Sequence, residues 1–180
     1  MRRRVALALL GAPLVQACAG YALVGKGVNV DPSIKRIGVP MFKDNSGKAG
    51  LDQKITEKVI EELLKRGHFD VVPDATGVDA LVDGTILNYL SAPVGFSTEA
   101  TSATTTNTQA SRYAIVMLAR VHYTKTGVVE PIWQTENMST REEYDVGDDP
   151  SSYFDQEELA IDRLAQTFAR NVVAGMLEAF

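Results

Sequence analysis

The stretch Ser111 to Thr124, SRYAIVMLARVHYT, places Tyr113, Ile115, Met117, Ala119, Val121 and Tyr123 at every second position. That period is the period of a strand, and it commits the six residues to one face of a sheet. Such a face must be covered. The opposite set is Arg112, Ala114, Val116, Leu118, Arg120 and His122. A solvated face should be polar throughout, yet this one is apolar in the middle and basic or titratable towards its ends. The alternation therefore predicts a core face and a second face whose centre calls for another partner.

Two segments can supply the cover. Leu51 to Arg66 carries Leu51, Ile55, Val59, Ile60, Leu63 and Leu64 at steps of three and four, opposite Glu57, Lys58, Glu61, Glu62 and Lys65. This is an amphipathic helix, with Gly67 placed to end it. Ser152 to Phe180 repeats the pattern with Ile161, Leu164, Ala165, Phe168, Val172, Met176 and Phe180, and Pro150 marks its start. Shorter strands are expected at Ile34 to Met41, Phe69 to Val72 and Ala80 to Tyr89, where Gly84 signals a bulge or a close backbone approach. Lys125-Thr126-Gly127 turns the long strand into Val128 to Met138, an edge strand because of Pro131, followed by an acidic loop over Glu142 to Asp149. Ser91 to Gln109 is rich in threonine and poor in apolar residues, so it reads as a long mobile loop or as a wide hairpin extension. The expected fold is α+β, a two-layer sandwich with two helices on one face of a mixed four- to five-stranded sheet.

The N-terminus constrains location. Arg2, Arg3 and Arg4 precede an apolar run from Val5 to Val15, and Ala17 stands before Cys18, the only cysteine. These are the parts of a secretory signal, too short to span a bilayer, which takes about 20 helical residues. Val15-Gln16-Ala17-Cys18 resembles a bacterial lipobox, which implies cleavage before Cys18 and acylation there. Ala19 in place of an aspartate favours the outer membrane. The expected organisation is a signal over 1–17, a lipidated tether over 18–31 and one domain over 32–180. Loss of the three arginines leaves 15 Lys and Arg against 23 acids, a balance of −8. An acidic chain argues against nucleic acid as a partner, and it offers no polybasic segment for lipid headgroups.

Catalytic and metal chemistry have little to stand on. The two histidines, His68 and His122, have no Cys or His at ligand spacing. Asp145, Asp148, Asp149, Asp155 and Glu157 do not follow a calcium-loop spacing, and carboxylates near a helix start are favourable without a metal. No cofactor and no metal is expected. Three functions remain open: an assembly factor with an exposed interaction face, a lipid carrier, and a hydrolase using Asp148 or Asp149.

Several stretches together resemble one family. These are Cys18 with Gly20-Tyr21, then IKRIGVPMFKDNSG, LDQKITEKVIEELLKRG, VDALVDGTILNY and VHYTKTGVVEPIW. They are similar to the outer-membrane lipopolysaccharide-assembly lipoproteins called LptE. The resemblance implies two helices on a mixed sheet, insertion as a plug in the LptD β-barrel, and contact with lipopolysaccharide. On that reading the membrane is met through the lipid anchor, and Arg112, Val116, Leu118 and Arg120 form the partner-binding surface. A pilotin-type or curli-type assembly lipoprotein is the related alternative.

Overall fold

The structure is a computed structural model that describes residues 31–66, 69–102, 105–147 and 152–178. The signal, the tether up to residue 30 with Cys18, and Gly67, His68, Asp148, Asp149, Pro150 and Phe180 lie outside these residues. In chain order the elements are β1 (Arg36–Gly38), β2 (Lys43–Asp44), α1 (Leu51–Arg66), β3 (Asp70–Val72), β4 (Ala80–Ser102), β5 (Thr105–Lys125), β6 (Trp133–Asp145) and α2 (Ser152–Glu178). The strands form one mixed sheet of order β3-β1-β4-β5-β6, with the two-residue β2 also paired to β4. β1 runs parallel to β3 and β4, whereas β4–β5 and β5–β6 are antiparallel. Two helices on a mixed sheet is the α+β arrangement that the periodicities predict.

Both helices lie on the face lined by the odd-numbered residues of β5. Ile115, Met117, Ala119, Val121 and Tyr123 are buried with Ile55, Val59 and Leu63 of α1 and Leu164, Phe168, Val172 and Met176 of α2 in one cluster. Leu64 departs from the expected stripe, since it is exposed near the C-terminal end of α1. Gly84 makes the close approach anticipated for it: a Cβ there would overlap the Phe42 ring, which packs edge-to-face on Phe168 with centroids 6.1 Å apart. Phe42 is fixed in turn through its amide, which donates to Thr56 Oγ1 at 3.0 Å. The irregularity of β4 comes later, between Ile86 and Asn88 and around Gly95.

Two strands extend beyond their expected limits. β4 and β5 form one hairpin that carries the threonine-rich stretch in paired strands, Ser97 opposite Gln109 and Thr98 opposite Thr108. The long-loop reading is therefore corrected to the hairpin extension. Cross-strand backbone pairing satisfies the amides there, and β-branched threonine suits an extended backbone better than its lack of apolar area suggests. β6 begins five residues later than expected and takes Glu142 and Glu143 into the strand, so the acidic loop starts only after Asp145. β6 is an edge strand, as Pro131 implied, and an edge strand tolerates charged residues.

A polar cluster and an aromatic one tie the hairpin to α2. Tyr89 donates to Glu157 Oε1 at 2.9 Å while Lys48 Nζ reaches Glu157 Oε2 at 2.9 Å. Burial, and then the adjoining carboxylate, push the Tyr89 phenol well above its ordinary range. Tyr113, Tyr144 and Tyr153 stack nearby at 5.0 to 6.0 Å between centroids. Together they hold the base of the hairpin against the helical layer.

Candidate functional site

The face of the sheet turned away from the helices carries the candidate site. On β5 it presents Arg112, Ala114, Val116, Leu118, Arg120 and His122, the even-numbered set. Register brings Leu90 of β4 and Arg141 of β6 to either side of Val116. Asn88 and Ser139 flank Leu118 in the same way. Val116 and Leu118 are half-buried within the sheet surface. Leu90 is 57 % and Phe96 63 % exposed. The apolar centre is thus wider than the sequence alone suggests, and runs from Leu118 through Leu90 towards Val94 and Phe96.

The missed residues share a physical cause. Leu90, Ala92, Val94 and Phe96 alternate as a strand should, but Pro93, Gly95 and the following threonines read as punctuation. Bulges between Pro93 and Gly95 and between Gly95 and Phe96 absorb that punctuation without ending the strand.

The rim of this face is charged and internally neutralised. Arg112 Nε meets Asp145 Oδ1 at 2.7 Å, and Arg120 Nε meets Glu136 Oε2 at 2.7 Å. Arg141 Nη2 meets Glu143 Oε1 at 2.7 Å, and His122 Nε2 lies 2.9 Å from Glu136 Oε1. The hydrogen bond to Asp145 raises the Arg112 guanidinium further above its already high range. The contact with His122, with the Arg120 charge beside it, holds the Glu136 carboxyl below the usual carboxylate range. All four residues expected at the partner surface, Arg112, Val116, Leu118 and Arg120, therefore lie on one face. The two arginines stand there as halves of ion pairs and not as free cations.

Among the described residues no group of three or more His, Cys, Asp or Glu is placed to hold a metal ion. Among them, too, no helix is long and apolar enough to cross a membrane. A sequence comparison gives the family. The profile of the lipopolysaccharide-assembly family LptE matches residues 34–176. The chain belongs to the LptE family. The match covers β1 through nearly all of α2, so the whole described sheet lies within the LptE region.

The LptE assignment makes the chain an envelope lipoprotein of lipopolysaccharide assembly. No curated protein sequence matches it. A solved chain from Caulobacter crescentus has a TM-score of 0.50 at 11 % identity, covering 77 % of this chain and 88 % of that one, and so shares the fold. Rare lipoprotein B from Shewanella oneidensis gives a TM-score of 0.46 at 14 % identity, covering 81 % and 96 % of the two chains. Lipoprotein B from Nitrosomonas europaea gives 0.47 at 12 % identity, covering 89 % and 96 %.

Proposed function

We propose that this LptE-family chain is an outer-membrane lipoprotein, anchored through acylated Cys18, that assembles with the LptD β-barrel and plugs its lumen during lipopolysaccharide transport. In this reading residues 1–17 are removed, 18–31 form the tether and 32–180 form the domain on the periplasmic side. The observation that carries the proposal is the sheet face away from the helices. Its apolar centre of Leu90, Val116 and Leu118, ringed by paired charges, has the composition of a protein interface with an apolar core and polar rim. The residues form a continuous sheet surface across three strands, which suits a wall more than an acyl chain.

The test is the double substitution Val116→Asp and Leu118→Asp. Both side chains lie outside the helix-covered core, so the thermal midpoint should hold while co-purification with the barrel is lost. Two carboxylates taken into an apolar interface without partners carry a heavy desolvation penalty. Normal folding with normal barrel association would refute the interface. Co-purification of neither the wild-type nor the variant lipoprotein with the barrel would refute the partner.

A further inference from the structure

Where β6 ends and the β4–β5 hairpin runs on alone, the outer face opens into a recess of about 660 Å³. Phe96, Ser111, Arg112, Arg141, Glu143 and Asp145 line it. Its shape depends on the irregularity of β4. A Cβ on Gly95 would lie 2.9 Å from the Arg112 Cβ, so glycine is what lets the bulged strand close on Arg112 and leave Phe96 standing beside the opening. Phe96 presents a largely exposed ring that no helix covers. Below it, Arg112–Asp145 and Arg141–Glu143 set two guanidinium groups and two carboxylates side by side.

That composition selects a ligand class. Each arginine already holds a carboxylate at 2.7 Å, so a phosphate bound beside them would meet the repulsion of both acids. An acyl chain would desolvate four charged groups without replacing their hydrogen bonds. A sugar ring meets neither obstacle. Its C–H face can lie on the electron-rich face of the Phe96 ring. Its hydroxyls donate to the carboxylates and accept from the guanidinium N–H groups, leaving the ion pairs intact. Thr98 and Thr108, whose hydroxyl oxygens lie 3.3 Å apart, carry an uncharged hydrogen-bonding surface onward from the recess.

We propose that this recess binds a saccharide ring. Resting on the lipopolysaccharide reading above, the ring belongs to the polysaccharide portion of lipopolysaccharide and not to its phosphorylated lipid.

The experiment uses the lipoprotein extracted in a detergent without sugar headgroups and measures binding by titration calorimetry. The probes are intact lipopolysaccharide, its lipid-free polysaccharide, its lipid A, and a peptidoglycan disaccharide. The polysaccharide should bind saturably. Phe96→Ala should weaken it roughly tenfold, the loss expected when one aromatic anchor of a small site is truncated. Phe96→Trp should restore it, and lipid A binding should be unchanged in both variants. Because Phe96 is exposed, the thermal midpoint should not move. Equal polysaccharide binding by the wild type and Phe96→Ala would overturn the site. So would binding of intact lipopolysaccharide without any binding of the polysaccharide, a result that leaves the lipopolysaccharide reading standing. Tighter binding of the peptidoglycan disaccharide would overturn the lipopolysaccharide source, and failure of intact lipopolysaccharide to bind would overturn the functional reading itself.

Discussion

Gly175 in α2 faces Trp133 at the start of β6, and the contact allows a quantitative test of how the edge strand is seated. A Cβ on Gly175 would lie 2.6 Å from Trp133 Cζ2, 2.8 Å from Cε2 and 3.1 Å from Nε1. Relaxed carbon contacts need ~3.5 Å, so the indole would have to retreat by nearly ~1 Å. Overpacking of this kind costs about 1 to 3 kcal/mol. Alanine recovers about 1 kcal/mol of helix propensity over glycine. Gly175→Ala should therefore destabilise the protein by up to about 2 kcal/mol net, lowering the melting temperature by up to several degrees at ~2–4 °C per kcal/mol. In a Trp133→Ala background the clash is gone, and the same substitution should stabilise by about 1 kcal/mol. The difference between the two backgrounds is the signature, and a double-mutant cycle by chemical denaturation reads it as a coupling of about 1 to 3 kcal/mol. Equal effects in the two backgrounds would show that Trp133 does not sit over Gly175 and that β6 is misplaced.

Cys18→Ala should release the protein from membranes, and mass spectrometry of the wild type should find an acylated N-terminal cysteine; retention of the variant after a salt wash would contradict the anchor. The Asp79 carboxylate accepts the amides of Lys35 and Arg36 at 2.9 Å each, and these bonds hold it below the usual carboxylate range. A pKa lower in the folded chain than in the unfolded one means its stabilisation is present above the unfolded value and is lost as pH falls through the folded one. Asp79→Asn should accordingly lower stability at neutral pH and flatten the loss of melting temperature between about pH 5 and pH 2. An unchanged acid limb would show that other carboxylates govern it.

Strong periodicity was legible wherever one face meets the core. Leu51 to Arg66 forms a helix with the expected bounds, and the odd positions of β5 from Ile115 to Tyr123 are buried as their alternation requires. The sheet face away from the helices was legible only in its centre. Val116 and Leu118 stand out because they sit in a regular strand, whereas Leu90, Val94 and Phe96 flank Pro93 and Gly95, which read as the end of a strand until bulges absorb them. β6 was obscured for a different reason. Its inward residues include Thr140 and Glu142, and Glu142 is satisfied by Arg163 of α2 at 2.8 Å, a pairing that no local pattern announces. Arg112 and Arg120 show the same limit: sequence gives their face, but their neutralising partners come from β6, more than a dozen residues away in the chain.

Site-specific photo-cross-linking in the envelope reads directly which side of the domain meets the barrel. Leu90 on the sheet face is 57 % exposed, while Leu64 and Leu159 on the helical side are each 55 % exposed, so the three positions offer a cross-linker equal access. A photoreactive residue at Leu90 should yield an adduct with the LptD barrel, and the same residue at Leu64 or Leu159 should yield far less. Adducts from the helical positions with none from Leu90 would contradict the proposal that the open sheet face is the docking surface.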